Sequence, residues 1–170
     1  MIFVTVGTHE QPFNRLIKYM DDLRSGGKIR EDVIIQTGYS TYEPVYCTWQ
    51  KFYSYDEMIK LVGEARIVIT HGGPSSFIMP LQVGKTPIVV PRQHKFNEHV
   101  NDHQVMFSKA VEKRMGTIIV IEDISKLWET ILHYDEIVQK MPEGMKSHNK
   151  EFNHAFSEIV DELMNERKNK

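Results

Sequence analysis

Short, uninterrupted runs of apolar residues recur along the chain, and most of them are rich in β-branched side chains. Glycine, proline or small polar residues bound each run, a pattern typical of strands that are buried on both faces of a sheet. Apolar and polar positions do not alternate, so a sheet with one solvated face is not indicated. The strands predicted in this way cover residues 2–6, 32–37, 48–53, 66–69, 87–91 and 117–121.

Between the first strands, apolar residues recur three and four positions apart, which is the spacing of a helix with one buried face. The inward positions of the first predicted helix are Phe13, Leu16, Ile17, Met20 and Leu23. Those of the second are Met58, Ile59, Leu61 and Val62. Residues 25–27 end the first helix, and Ser54 or Asp56 is the expected N-cap of the second.

Three further helices are predicted in the second half of the chain. A short helix leads from Phe77 to Gly84, between two strands. A long helix lies within residues 96–115, and its inward positions are Val105, Met106, Ala110 and Val111. The third follows the cap candidates Asp123 and Ser125, and its inward positions are Ile124, Leu127, Trp128, Ile131 and Leu132.

The alternation of strands and helices predicts a Rossmann-like, doubly wound α/β fold, with a mostly parallel sheet covered on both faces. One domain spans residues 1–140, and residues 141–170 form a C-terminal helical extension after Pro142 and Gly144. The apolar stripe of that extension consists of Phe152, Phe156, Ile159 and Leu163. The stripe either packs back onto the domain or docks to a partner.

The composition of the chain argues against several classes of protein. The chain has 170 residues and a net charge of −2, so there is no overall basic field for binding nucleic acid. Cys47 is the only cysteine, which excludes an intramolecular disulfide and fits a reducing cytoplasm. No apolar run approaches the ~20 residues that a membrane-spanning helix needs. We therefore expect a cytoplasmic protein that reaches a membrane only through a surface or a partner.

The most informative segment is residues 70–76, a glycine-rich turn between a predicted strand and a predicted helix. In open α/β sheets this turn lies at the carboxyl end of the strand, where such folds bind ligands. Gly72 and Gly73 allow close approach of the backbone, and the amides near Ser75 and Ser76 favour an anion. The sequence therefore predicts a cradle for a diphosphate. His71 is either a donor to phosphate or a core histidine bonded to a backbone carbonyl.

Four segments carry a family resemblance: residues 3–9, 70–73, 83–93 and 97–104. Together they resemble the donor-binding, C-terminal half of GT-B glycosyltransferases, in the family-28 form shared with the peptidoglycan N-acetylglucosaminyltransferase MurG. Small stand-alone subunits of two-component transferases are more similar still. Such subunits serve asparagine-linked glycosylation in eukaryotes and capsule or exopolysaccharide synthesis in bacteria. The resemblance implies a single domain of the GT-B C-terminal type.

The resemblance also implies an activity: inverting transfer from a UDP-sugar to a lipid-linked acceptor, with β-1,4-galactosyl transfer favoured and no metal or other cofactor in this domain. The diphosphate would be held by Gly7, Thr8, Gly73, Ser75 and Ser76. His103 and Gln104 match a pair that contacts the sugar or phosphate. The remaining expected contacts are His9, His71, Gly72 and Gln93. One departure is Met79, which stands where the family has a glutamate that binds ribose.

The sequence contains no evident catalytic base, which transfer to a hydroxyl requires within hydrogen-bond reach. We therefore expect a donor-binding subunit whose membrane-anchored partner brings the lipid-linked acceptor, at the inner face of the membrane. The alternatives are an N-acetylglucosaminyltransferase subunit, a non-catalytic UDP-binding assembly protein and half of a UDP-sugar epimerase. A dinucleotide oxidoreductase is disfavoured, because the turn after the first strand lacks the G-x-G-x-x-G pattern.

Several residues keep two interpretations. Arg92 and Lys95 either balance diphosphate charge or belong to a solvated loop. An aromatic segment after the second strand offers a platform for a sugar or uracil, or a partner interface, through Tyr39, Tyr42, Tyr46 and Trp49. His99 and His103, one helical turn apart, have a spacing that suits a metal, but no third ligand accompanies them.

Overall fold

The computed structural model describes residues 1–141, and all of its strands belong to one sheet. The strands are β1 (Ile2–Thr5), β2 (Val33–Gln36), β3 (Thr48–Gln50), β4 (Ile67–His71), β5 (Ile88–Val90) and β6 (Ile119–Val120). Their order across the sheet is β3-β2-β1-β4-β5-β6, and every pairing is parallel. The predicted doubly wound α/β fold is thereby confirmed.

Within residues 1–141, six α-helices connect and cover these strands. They are α1 (Asn14–Ser25), α2 (Tyr55–Glu64), α3 (Pro74–Gln82), α4 (His103–Met115), α5 (Leu127–Leu132) and α6 (Tyr134–Lys140). Ser54 caps α2 as expected, because its hydroxyl accepts from the Glu57 amide while the Glu57 carboxylate accepts from the Ser54 amide. Pro74 begins α3, a position where a missing backbone N–H costs nothing.

The helices form one layer on each face of the sheet. Side chains of α1, α5 and α6 pack with one set of strand residues, including Val4, Ile35 and Ile69. Side chains of α2, α3 and α4 pack on the other face, around Phe3 and Val89. Burial on both faces explains why the central strands are uniformly apolar. Among the described residues, no helix is long and apolar enough to cross a membrane.

The long helix expected within residues 96–115 occupies only the C-terminal part of that range. A single 3-10 turn (His94–Phe96) ends at Asn97, whose left-handed backbone (φ 56°) stops helical propagation, and α4 starts at His103. Met106 is 55 % exposed and Leu132 is 59 % exposed, so the prediction that both point inward was wrong. Ile59 of α2 also lies on the solvent side. The predicted extension falls almost entirely outside the described residues.

Candidate functional site at the carboxyl edge of the sheet

The carboxyl ends of β1, β4 and β5 meet at one edge of the sheet, because all three strands are parallel and adjacent. We call this region the mouth; it comprises residues 7–13, 71–76 and 91–104. The mouth contains every predicted site residue: Gly7, Thr8, His9, His71, Gly72, Gly73, Ser75, Ser76, Gln93, His103 and Gln104. Sequence positions up to 97 apart are thus brought to one edge by the topology of the sheet.

His71 occupies the centre of the mouth and is buried. Its ring lies between two glycines: a methyl group built on either Gly7 or Gly73 would overlap the imidazole. Nδ1 accepts a hydrogen bond from the Gly73 amide at 3.0 Å, and Nε2 lies 2.6 Å from the Ser76 hydroxyl. Burial, assisted by the positive charge of Arg92, lowers the pKa of His71 to about 4, so the ring is neutral at physiological pH.

The amides of the glycine-rich turn are mostly used within the protein. Gly72 donates to the side-chain oxygen of Gln104, and Gly73 donates to His71. The Ser76 amide bonds back to the Gly73 carbonyl, and Pro74 has no N–H. Within residues 1–141, the Ser75 amide has no such acceptor. The donors available to a ligand at the start of α3 are therefore this amide and the hydroxyls of Ser75 and Ser76.

Two glutamines of the mouth brace the backbone. The Gln104 side-chain oxygen accepts from the amides of Gly72 and Arg92, at 3.0 and 3.1 Å, and so connects the ends of β4 and β5. The Gln93 side chain is buried and donates to the carbonyl of Glu122 at 2.7 Å. Both side chains thus hold the loops that surround the ligand region, whatever they contact when a ligand is bound.

Arg92 and Glu98 form a buried clamp between the loops that follow β1 and β5. Arg92 is fully buried, and its guanidinium donates to the carbonyls of Val6, Gln11 and Glu98. The expectation that Arg92 belongs to a solvated loop was therefore wrong, and the expectation that its charge balances a diphosphate stays a prediction. The Glu98 carboxylate accepts two hydrogen bonds from Arg15, at 2.8 and 2.9 Å. The clamp fixes the distance between two walls of the mouth.

The lip of the mouth carries a pair of stacked imidazoles. The rings of His9 and His99 lie 4.7 Å apart and nearly parallel, and His9 Nε2 lies 2.9 Å from the side-chain oxygen of Gln11. Burial, and secondarily the charge of His9, lowers the pKa of His99. His99 precedes α4, so the expectation that it sits one helical turn from His103 was wrong. No cluster of potential metal ligands occurs among residues 1–141.

The aromatic segment after β2 lines a groove of about 470 Å³ next to the mouth. Tyr39 and Phe52 are exposed there and meet edge to face at 5.3 Å. Tyr42 and Trp49 also line the groove. The interpretations as a platform for a small ligand and as a partner interface both remain predictions.

Asp21 of α1 holds this aromatic segment in place, and the sequence analysis missed it. Its buried carboxylate accepts from the Tyr42 hydroxyl and from the amides of Val45, Tyr46 and Cys47, at 2.8–3.0 Å. Burial alone would raise the pKa of Asp21, but these hydrogen bonds outweigh it and lower the pKa. A signal was present in the sequence, because Asp21 stands four residues after the inward-facing Ile17 and so falls on the apolar face of the helix.

Met79 of α3 is half-buried and packs against the cluster that contains Phe3 and Val68. A thioether in this position offers no strong hydrogen-bond acceptor for ribose hydroxyls.

Comparison with known proteins identifies a family. The family described as "Glycosyltransferase family 28 C-terminal domain" matches residues 1–163. Among solved structures, the glycosyltransferase SnogD from Streptomyces nogalater is 18 % identical, with a TM-score of 0.50 over 83 % of this chain and 40 % of that one. The glycotransferase of kitacinnamycin is 13 % identical, with a TM-score of 0.50 over 81 % of this chain and 37 % of that one. Among curated proteins, none matches.

Proposed function

Because the chain belongs to the glycosyltransferase family 28 C-terminal domain family, we propose that it is the donor-binding part of a glycosyltransferase and holds a UDP-sugar at the mouth. The donor diphosphate would lie over the start of α3. The observation that carries this proposal is the set of hydrogen-bond donors at the start of α3 that remain available to a ligand. They are the Ser75 amide and the hydroxyls of Ser75 and Ser76. They lie at the positive end of a helix dipole, which favours an anion.

The reaction is inverting transfer of the sugar from UDP to a lipid-linked acceptor. We favour galactose in β-1,4 linkage as the transferred sugar, with N-acetylglucosamine as the alternative. Stabilisation of the departing UDP is what the helix start and its hydroxyls can supply, because charge accumulates on the diphosphate as the bond to the sugar breaks. In this proposal, His103 and Gln104, in the first turn of α4, contact the sugar or the distal phosphate.

The remaining machinery comes from a second polypeptide in this proposal. The chain spans about two-fifths of each of the two solved structures to which it was compared. We propose that a membrane-anchored partner binds the lipid-linked acceptor and contributes the base, in capsule or exopolysaccharide synthesis. This chain then works in the cytoplasm and is held at the inner face of the membrane by that partner.

Isothermal titration of the purified chain with UDP, UDP-galactose and UDP-N-acetylglucosamine tests the donor site. We expect saturable binding of UDP, and we expect Ser76→Ala to weaken it about 10-fold, because roughly 1.5 kcal/mol is the lower end of the contribution of a hydrogen bond to a charged group. Ser25→Ala is the matched control, since this hydroxyl donates to the Asp22 carbonyl within α1 and lies at the opposite end of that helix from the mouth. Tighter binding of UDP-galactose than of UDP-N-acetylglucosamine would support the favoured sugar.

A transfer assay separates an enzyme subunit from a non-catalytic UDP-binding protein. Radiolabelled UDP-sugar is supplied to membranes that contain the lipid-linked acceptor, with and without the candidate partner. We expect label in the lipid fraction only when both proteins are present. Full activity from this chain alone would contradict the need for a partner, and no activity with either sugar despite UDP binding would favour the non-catalytic alternative.

A further inference from the structure

The hydrogen-bond pattern around His71 determines where its proton lies. A backbone N–H can only donate, so the bond from the Gly73 amide requires Nδ1 to be unprotonated. The ring is neutral, and its single proton must therefore be on Nε2. Nε2 then donates to the Ser76 oxygen 2.6 Å away, and that oxygen acts as the acceptor.

This assignment also determines the role of the Ser76 hydroxyl. Its oxygen receives the His71 proton, so its own hydrogen is free to be donated elsewhere. Among residues 1–141, the Ser76 hydroxyl forms its hydrogen bond with His71. The Ser76 side chain is partly exposed at the start of α3. The hydroxyl hydrogen is therefore available to a group that enters the mouth.

We propose that His71 is a positioning residue that does not contact the donor but holds the Ser76 hydroxyl ready to donate to the donor's diphosphate. The inference rests on the proposed function. It replaces direct contact between His71 and phosphate, because both ring nitrogens are engaged within the protein. A neutral ring with a fixed tautomer makes the Ser76 hydroxyl a donor before any ligand arrives, which lowers the entropic cost of binding.

The same arrangement accounts for the two glycines beside the ring. Side chains at Gly7 or Gly73 would displace the imidazole, because even a methyl group at either position overlaps it. Gly7 also has a positive φ of 73°, which disfavours other residues. Gly7 and Gly73 therefore act by leaving room for His71, in addition to any close approach of their backbone to a ligand.

Two substitutions at position 71 distinguish the ring's contacts. In His71→Asn the side-chain oxygen occupies the Nδ1 position and still accepts from the Gly73 amide. The Asn side chain is too short to donate a hydrogen bond to the Ser76 oxygen. The amide of His71→Gln extends to the Nε2 position and can donate to Ser76. UDP affinity is measured by titration calorimetry for both variants, for Ser76→Ala and for the double variant His71→Asn with Ser76→Ala. Thermal unfolding and circular dichroism check that each variant is folded.

We expect His71→Asn to weaken UDP binding roughly 5- to 10-fold, close to the effect of Ser76→Ala, while His71→Gln stays within about 3-fold of the natural chain. The double variant should bind no more weakly than Ser76→Ala, because both changes remove the same hydrogen bond. A purely structural role would lower the melting temperature of His71→Asn without this non-additivity. Wild-type affinity in a folded His71→Asn protein, or additive effects, would overturn the proposal.

A measurement on the natural chain does not depend on any variant. Nitrogen-15 NMR of the histidine rings should show His71 with Nε2 protonated and Nδ1 bare between pH 6 and 8, with and without UDP. A protonated Nδ1 would overturn the inference even if UDP binds. If the natural chain binds no UDP at all, the proposed function is wrong. If the natural chain binds UDP but Nδ1 of His71 is protonated, only the proposed role of His71 is wrong.

Discussion

The mouth and the aromatic segment lie side by side at the carboxyl edge of the sheet, yet they are built differently. In the mouth, buried side chains and backbone turns satisfy one another, with His71 packed between Gly7 and Gly73. In the aromatic segment, one carboxylate of α1, Asp21, holds a loop on which Tyr39 and Tyr46 remain exposed, while Tyr42 and Trp49 are partly buried. The mouth is thus held by several elements, including Gln104 of α4 and Arg15 of α1, whereas the aromatic segment is held by the single carboxylate of Asp21.

The difference separates the two kinds of recognition available to this protein. The mouth presents a few polar donors on a rigid backbone, which suits a small charged group. The aromatic segment presents the exposed side chains of Tyr39 and Tyr46, with Phe52 after β3 packed against Tyr39, and exposed tyrosines are common in partner interfaces. Disrupting each anchor separately should show whether the two regions are independent.

The largest expected effect comes from removing the buried acid of the clamp. Glu98→Ala leaves Arg15 without its carboxylate partner and the backbone N–H of Gln93 without its acceptor. We expect the free energy of unfolding to fall by about 4 kcal/mol, the range for breaking a buried ion pair. Urea denaturation measures it, with Glu64→Ala on the exposed end of α2 as the control. A loss below about 1 kcal/mol would mean that the clamp does not organise the mouth.

A smaller loss is expected from weakening the anchor of the aromatic segment. Asp21→Asn keeps the shape of the side chain but removes its charge. One carboxylate oxygen is replaced by an NH2 group, a donor that faces the N–H of Val45. We expect about 3 kcal/mol of destabilisation, with UDP affinity retained because the mouth has its own supports. Asp22→Asn, the exposed neighbour, is the matched control. Loss of UDP binding in a folded Asp21→Asn protein would show that the two regions are coupled.

The third effect is a dependence of stability on pH. The pKa of His71 is lowered to about 4 from 6.5, by burial and by the charges of Arg92, His9 and His99. The unfolded chain therefore binds this proton near pH 6.5, whereas the folded chain binds it only near pH 4. The contribution to stability is complete above pH 6.5 and is lost as the pH falls toward 4, by about 2 kcal/mol between pH 7 and 5.

Urea denaturation of the natural chain and of His71→Asn at several pH values isolates this contribution. The natural chain should lose more stability than the variant between pH 7 and 5, while exposed His133→Asn should follow the natural chain. Equal slopes for the natural chain and His71→Asn would contradict the neutral, buried state of the ring.

Much of the site's location was predictable from the sequence. Residues 70–76 lie between a strand and a helix, and in a parallel sheet this alone places His71, Ser75 and Ser76 at the carboxyl edge, where open α/β folds generally bind ligands. The hydrogen-bond partners were not predictable in the same way. Arg92 donates to the Val6 carbonyl, 86 positions away, and its burial depends on loops that no local pattern describes.

The start of α4 shows the same limit on a smaller scale. Apolar spacing from Phe96 onward is compatible with a helix, but the left-handed turn at Asn97 and the pairing of Glu98 with Arg15 hold the preceding residues in another conformation. Long-range contacts therefore overrode a local preference that was weak to begin with. His99, displaced from the helix, stacks on His9 instead of facing His103.

By itself, the sequence determined the strands, the parallel α/β fold and the edge of the sheet at which the candidate site residues lie, because apolar runs and glycine turns act locally and the topology of a parallel sheet follows from them. Only the tertiary structure decided which polar groups remain free at that edge. An amide of the glycine-rich turn is free to bind a ligand only if neither His71 nor Gln104 accepts its hydrogen bond. These side chains come from separate segments, so they meet the turn only in the folded protein.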